Sequence, residues 1–326
     1  MEGEKILAFV DLLGFSRMVS LDKAKARTVL SDFYNISWKN IRNNQLVKGT
    51  LMSDSLLIYS DNRTSILNCL SDIYRECFKK NDTYENLGKD FFLLLRGAVS
   101  EGFVQLEDRT TSPNLNKNFI ISPALVHSAK LESLIKGSRL LVAVNNDSEE
   151  QNKEYKWNND LKSSLYPASS IKYMEDYKYT DALWFRDESK ELDLQRTEVK
   201  DLLTIAFKLV KENATNPKVI EQHIQTLRIG LLSYIKFLDR DNDPILKELL
   251  DNYTSSQYWL LWITMMEMIT GGFDSWCYEG SKEIVNFYTK ASLETGWIEV
   301  IKELNKEEQK HLKGTFKRFL KMLEIH

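Results

Sequence analysis

The order in which hydrophobic patterns follow one another is the feature that most restricts how this chain can fold. From residue 5 to about 144, short β-type runs alternate with amphipathic helical periods, in the order β-α-β-β-α-β and then α-β. After Gln195 only helical periods recur. This order suggests a mixed sheet with helices on one side, so we expect an α+β fold. The predicted domains are a sheet-containing domain at residues 1–190 and an all-helical C-terminal domain at 191–326.

Local patterns place the individual elements. Strands are predicted at 5–10, 91–95, 97–104 and 140–144, two strands at 45–60 around a turn at Ser53-Asp54, and a last strand at 181–185. Helices are predicted at 20–41 with Asp22 as N-cap, at 65–79 and at 122–136. A polar stretch from 145 to about 172 is typical of a loop or linker. Further helices are predicted at 197–213, 217–238, 242–251, 255–270, 280–292 and 306–324.

Composition argues against several classes of protein. The 326 residues contain 44 Lys and Arg against 47 Asp and Glu, which gives a net charge of −3. A general nucleic-acid binder needs an excess of basic residues, so this charge argues against that class. Three cysteines without a C-x-x-C spacing indicate reduced thiols instead of disulfides or a zinc site. The most apolar window, 258–269, is too short to span a bilayer, and the N-terminus is not a signal peptide. We therefore expect a cytoplasmic protein with no nucleic-acid or membrane partner.

Two aspartates lie where predicted strands end. Asp11 follows the first strand in FVDLLGFS (9–16), directly before a glycine turn whose amides could face a phosphate. Asp54 lies in the hairpin turn of MSDS (52–55). Either residue alone is compatible with ordinary turn chemistry. As a pair, converging carboxylates near a phosphate cradle are what two divalent cations need.

Arg96 ends a strongly apolar strand in LRGAVSEG (95–102). A guanidinium at such a position needs either a carboxylate of its own chain or a bound phosphate, and the sequence leaves both alternatives open.

The succession FVDLLGFS, MSDS, LRGAVSEG and ISPALVHSAKLES (121–133) resembles the class III nucleotidyl cyclase domain. It is most similar to the branch that makes cyclic pyrimidine nucleotides in the Pycsar anti-phage defence of bacteria. FVDLLGFS matches the family's F-x-D-[IL]-x-G-F-[ST], and Ser53 stands where purine cyclases usually have Gly. The resemblance covers roughly residues 5 to 185 and implies a cyclase-type mixed sheet with flanking helices.

The fourth segment differs from purine cyclases. Their Asn and Arg, which orient the ribose and stabilise the transition state, are replaced by Val126 and Lys130. Lys130 could still supply a positive charge, but as a point charge without the guanidinium fork. Pro123, Ala124 and Glu132 fit the G-P-A-x-x-x-A-x-x-x-E pattern of the pyrimidine branch, whereas Ser122 and Ser128 depart from it.

The resemblance implies a reaction and a set of roles. A pyrimidine nucleoside triphosphate would become its 3′,5′-cyclic monophosphate and pyrophosphate, with UTP favoured over CTP. Two Mn²⁺ or Mg²⁺ ions would bind Asp11, Asp54 and the Leu12 carbonyl, and Arg96 would contact the triphosphate. The phosphates would lie on the amides of Leu13, Gly14, Phe15 and Ser16. Thr50 and Phe119 occupy the positions that purine cyclases use to recognise the base.

The resemblance further implies a homodimer with the sites at its interface, and a separate effector that binds the cyclic product. Three alternatives remain open at this point: a catalytically inert nucleotide-binding sensor on the same fold, a purine cyclase, and a scaffold protein acting through its helical third. Val126, Ser53 and Ser122 favour the sensor, whereas both aspartates and Arg96 favour an enzyme.

Overall fold

The structure is a computed structural model that describes residues 2–108, 118–145, 161–168, 171, 173–213, 219–234 and 237. The chain divides into two compact units, Met1–Ile205 and Ala206–His326. This division lies C-terminal to the expected boundary at 190/191, which stays a prediction.

The described residues form eight strands and six helices. The strands are β1 (Glu2–Leu12), β2 (Val47–Met52), β3 (Ser55–Ser60), β4 (Leu95–Asp108), β5 (Asn118–Ile121), β6 (Leu140–Asn145), β7 (Leu165–Pro167) and β8 (Tyr177–Ala182). The helices are α1 (Phe15–Leu21), α2 (Lys23–Arg42), α3 (Arg63–Lys80), α4 (Pro123–Leu134), α5 (Leu192–Asn213) and α6 (Ile220–Tyr234), and a 3₁₀ turn covers Asn81–Thr83.

The first unit is built on one mixed sheet. Its strand order is β2-β3-β1-β4-β6-β8-β7, and β5 pairs with β4 outside this path. Among the described strands, only β4 and β6 pair in parallel, and α4 lies between them in the chain, as a parallel crossover requires. The expected α+β fold with a mixed sheet is therefore confirmed.

Helices cover both faces of this sheet, so the expectation of helices on one side was wrong. On one face, α4 packs on β1 and β4 through a cluster of Leu7, Leu57, Val104 and Ala124. On the other face lies α3, whose Tyr74 hydroxyl would be 3.0 Å from a Cβ added at Gly97. Strand residues alternate between faces, and β1 is apolar on both (Leu7 and Ala8 are fully buried), which is typical of a strand enclosed by two layers.

Local patterns gave the main helices correctly. Asp22 caps α2, its carboxylate accepting the amides of Ala24 and Lys25. The predicted apolar face of this helix is buried at Val29, Phe33 and Ile36. The short helix α1 and the strands β5 and β7 were not predicted, because each is too short for a periodic pattern to develop.

Two predicted strands differ from the observed ones. Phe91–Leu94 is buried but not a strand, because the side chain of Asn81 bonds both the amide and the carbonyl of Leu93, in place of a neighbouring strand. The last strand ends at Ala182 instead of Phe185. Beyond it, buried Arg75 of α3 donates hydrogen bonds to the carbonyls of Trp184 and Arg186 at 3.1 and 2.6 Å.

In the second unit, α6 and the end of α5 agree with the predicted helices at 217–238 and 197–213. The four helices predicted beyond residue 240 lie outside the described residues. Within the described part of the chain, no helix has both the length and the apolar character needed to cross a membrane.

Candidate active site

The centre of the site is Asp11, near the end of the central strand β1. The ladder registers place it directly opposite Ser55 of β3 on one side and Arg96 of β4 on the other. Directly opposed residues of antiparallel strands share a face of the sheet, so the three side chains converge. The Ser55 hydroxyl donates to Asp11 Oδ1 at 3.1 Å, and Arg96 Nη2 donates to Asp11 Oδ2 at 3.3 Å.

Asp54 approaches Asp11 from the turn that joins β2 and β3. The amide of Leu12 donates to the Asp54 carbonyl at 2.9 Å, which ties the turn to the end of β1. Ser53 adopts φ 53°, a left-handed conformation that favours glycine, in order to make this two-residue turn. The structure therefore brings Asp11 and the Asp54 turn close together at the ends of β1 and β3.

The surroundings of Asp11 disfavour its negatively charged form. Burial raises the pKa of Asp11 above its usual value, and the nearby Asp54 carboxylate raises it further. Arg96 and the Ser55 hydroxyl act in the opposite direction but do not cancel the rise in this pKa. A divalent cation between the two carboxylates would offset the free-energy cost of keeping Asp11 ionised beside Asp54. The residues present therefore fit such an ion.

The described part of the chain offers few side-chain ligands for that ion. Among the described residues, no group of three or more His, Cys, Asp or Glu side chains could hold a metal. Two carboxylates with backbone oxygens and substrate phosphates are the kind of set that Mg²⁺ uses, because it keeps waters and takes one or two protein carboxylates.

Arg96 is held by two carboxylates of its own chain. Besides Asp11, it forms an ion pair through Nε with Glu132 of α4, whose side chain is 9% exposed. Burial raises the pKa of Glu132 to about 7, against the opposing effect of Arg96. The next residue, Gly97, lets β4 approach β1 closely, since an added Cβ would lie 2.7 Å from Val10 Cγ2 and 2.8 Å from the Phe9 carbonyl oxygen.

The glycine turn after β1 offers a narrower phosphate cradle than the sequence predicted. The Leu13 amide donates to the Leu94 carbonyl at 2.9 Å and is therefore engaged within the chain. Gly14 has φ 74° and begins α1 without a side-chain cap, so the first-turn amides of Phe15 and Ser16 have no partner within the helix. The predicted cradle thus reduces to Gly14, Phe15 and Ser16.

Other predicted residues lie farther from this centre. Thr50 pairs with Leu57, two residues from Ser55, and so shares the face of the sheet that carries Asp11. In β5, the backbone of Phe119 pairs with Glu107 of β4, and the side chain of Phe119 lies outside what the structure describes. Lys130 lies on the exposed side of α4, about 200° around the helix from Glu132, so the two side chains point in different directions.

Sequence reasoning did not assign a role to Ser55 or Glu132. Ser55 adjoins Asp54, and its position after a strand-end aspartate was a usable signal. Glu132 lies 36 positions after Arg96 in the sequence, where no spacing rule connects them. The packing of α4 on β4 is what brings them together.

No protein-family model and no curated protein sequence matches the chain. Solved structures similar to it include the adenylyl cyclase CyaB from P. aeruginosa, at 12% identity and a TM-score of 0.44, covering 56% of this chain and 94% of that one. The guanylyl cyclase Cya2 matches at 14% identity and 0.42, covering 56% and 93%. An adenylate cyclase from Trypanosoma brucei matches at 10% and 0.43, covering 56% and 90%.

Proposed function

We propose that this protein is a nucleotidyl cyclase that converts a nucleoside triphosphate into its 3′,5′-cyclic monophosphate and pyrophosphate. The observation that carries the proposal is the convergence of Asp11 and Asp54 beside an arginine and a glycine turn. A triphosphate needs these elements together: carboxylates for cations, a guanidinium and free amides for phosphate oxygens.

Each element has a task in this reaction. Asp11, Asp54 and the Leu12 carbonyl would hold Mn²⁺ or Mg²⁺, two ions per site. When bound, these ions supply neutralising charge and lower the pKa of the ribose 3′-hydroxyl. The 3′-oxygen then forms a bond to the α-phosphorus while the bond from that phosphorus to the bridging oxygen of pyrophosphate breaks, and the hydroxyl proton passes to solvent. Arg96 and the amides of Gly14 to Ser16 would orient the triphosphate for this in-line displacement.

We favour a pyrimidine substrate, UTP before CTP. Thr50 shares the face of Asp11 and offers only a short hydroxyl, which is a poor partner for a distant purine edge. The sequence resemblance assigns Phe119 to the other base-recognising position, and a phenylalanine has no hydrogen-bond acceptor. From the sequence resemblance alone, we further propose a second-messenger enzyme of bacterial antiviral defence that works in the cytoplasm. A separate cyclic-nucleotide-binding effector would receive its product.

The active form would be a homodimer with sites at the interface. Met52 and Val126, on the side of the sheet covered by α4, are 49% and 62% exposed, and a second copy could bury them. Lys130 faces away from the sheet and would then reach the site of the partner subunit. Light scattering coupled to size exclusion measures this, and a fully active strict monomer would refute the shared site.

The decisive experiment incubates purified protein with ATP, GTP, CTP and UTP in the presence of Mn²⁺ and separates the products by mass. We expect cyclic UMP as the main product. A dominant cyclic AMP or cyclic GMP peak would refute the pyrimidine preference and leave the cyclase proposal intact. No cyclic product from a dimeric, Mn²⁺-supplied preparation would refute the cyclase proposal and favour a sensor that binds nucleotide without reaction.

A further inference from the structure

Arg96 forms ion pairs with two carboxylates that lie in different parts of the site. Asp11 holds Nη2 from the neighbouring strand at 3.3 Å, whereas Glu132 holds Nε from the helix above. Asp11 is also one of the two residues that would bind cations. Glu132 is not one of these expected cation ligands.

The backbone that carries Glu132 is firmly placed. Ser122 caps α4 by accepting the amide of Leu125 at 3.1 Å, and the Ser128 hydroxyl donates to the carbonyl of Leu7 on β1 at 3.3 Å. Ala124 and Leu131 are buried against the sheet on the same side of the helix. Glu132 continues this buried stripe, so its carboxylate is directed at β4 by the packing of the whole helix.

A cation at Asp11 would change the relative strength of the two ion pairs that Arg96 makes with Asp11 and Glu132. The carboxylate charge of Asp11 would then be shared with the ion, and its attraction for the guanidinium would fall. Glu132 would remain the carboxylate able to fix the arginine. Because its ion pair is with Nε, the two terminal nitrogens of the guanidinium would be available for phosphate oxygens.

We propose that Glu132 is a positioning residue that holds the Arg96 guanidinium in the orientation needed to bind the triphosphate once cations occupy Asp11. This inference rests on the proposed function, since it assigns Arg96 to the triphosphate. It makes a prediction opposite in sign to simple electrostatics. A carboxylate near a polyanion repels it, so removal of an uninvolved Glu132 would strengthen nucleotide binding, whereas removal of a positioning Glu132 weakens it.

The test measures nucleotide binding without turnover. Isothermal titration with Mn²⁺ uses the 3′-deoxy triphosphates of uridine and adenosine, which lack the 3′-hydroxyl and cannot be cyclised. Glu132→Gln should weaken binding about tenfold or more, the usual loss when a group that orients a ligand-binding side chain is removed. In an Arg96→Met background the same substitution should weaken binding no further, because Glu132 acts through the arginine.

A matched control is Glu101→Gln on β4, the strand that carries Arg96. This variant loses a carboxylate paired with Arg63 and should bind nucleotide like the wild type. If Glu132→Gln does not fold, Glu132→Asp keeps the charge with a shorter reach and should also weaken binding.

Three results would overturn the inference. These are unchanged or tighter binding by Glu132→Gln, the same result for Glu132→Asp where only that variant folds, and an equal loss in the Arg96→Met background. A wild-type protein that binds neither triphosphate would instead refute the proposed function, and the inference with it.

Discussion

Replacing Glu132 with Gln should stabilise the folded protein at pH 8 and change its stability much less at pH 5. Burial in the fold raises the pKa of Glu132 from 4.5 to about 7, and Asp11 adds to the rise, while Arg96 opposes it. The folded chain therefore holds a proton on Glu132 at a pH where the unfolded chain has lost it. Stability is consequently lost as the pH rises from the unfolded to the folded pKa.

The size of the effect follows from this difference in pKa. At about 1.4 kcal/mol per pKa unit, a rise from 4.5 to about 7 corresponds to about 3 kcal/mol of destabilisation once the pH exceeds 7. At pH 5 the loss is below about 1 kcal/mol, because only part of this pH range has been crossed. Gln has a similar shape and no charge, so it avoids the penalty at every pH.

Thermal unfolding of the full chain between pH 5 and 8, for the wild type and for Glu132→Gln, measures the difference. For a unit of about 200 residues, about 3 kcal/mol corresponds to roughly 6–12 °C in Tm at pH 8. Glu101→Gln is the control: its carboxylate is 40% exposed in an ion pair, which is worth at most about 1 kcal/mol.

A Tm difference that is equal at pH 5 and pH 8 would show that burial does not govern the charge of Glu132. A variant less stable than the wild type at pH 8 would show that the ion pair with Arg96 outweighs the desolvation. The expected outcome, a more stable variant that binds nucleotide more weakly, is the exchange of stability for function that buried charges at sites commonly display.

Four further predictions concern the same end of the sheet. Asp11→Asn and Asp54→Asn should each lower kcat by more than about tenfold, equivalent to only ~1.4 kcal/mol in the barrier. Asp11→Asn should also raise Tm without metal at neutral pH, because burial and Asp54 raise the pKa of this carboxyl; a lower Tm at pH 7 would contradict this. Arg96→Lys should raise KM for the triphosphate, since an ammonium lacks the planar fork that can pair with Glu132 and bind phosphate oxygens at the same time. Unchanged kinetics would show that Arg96 has only a structural role. Ser53→Gly should stabilise the hairpin by about 0.5–1 kcal/mol, because glycine adopts a positive φ without strain, and a fall in Tm would refute strain at this turn.

Local features of this protein could be predicted from its sequence. The helix over Lys23–Arg42, its Asp22 cap and its buried face follow from spacing and capping chemistry, which depend on residues a few positions apart. The turn at Ser53-Asp54 and the strand end at Asp11 follow from the same short-range rules. These rules also predicted the two aspartates at strand ends, whereas Arg96, predicted to end a strand at 91–95, is the second residue of β4.

Contacts between distant segments were decided by the tertiary structure. The register that sets Asp11 opposite both Ser55 and Arg96, and the helix that delivers Glu132, depend on which strands become neighbours and which face a helix covers. The apolar run at 91–94 shows what local rules cannot predict. Its burial was predictable, but the side chain of Asn81 makes the backbone hydrogen bonds that a neighbouring strand would have made. Periodicity in a sequence reports how much of a segment is buried, whereas the partners of its polar groups are chosen only when the segments pack together.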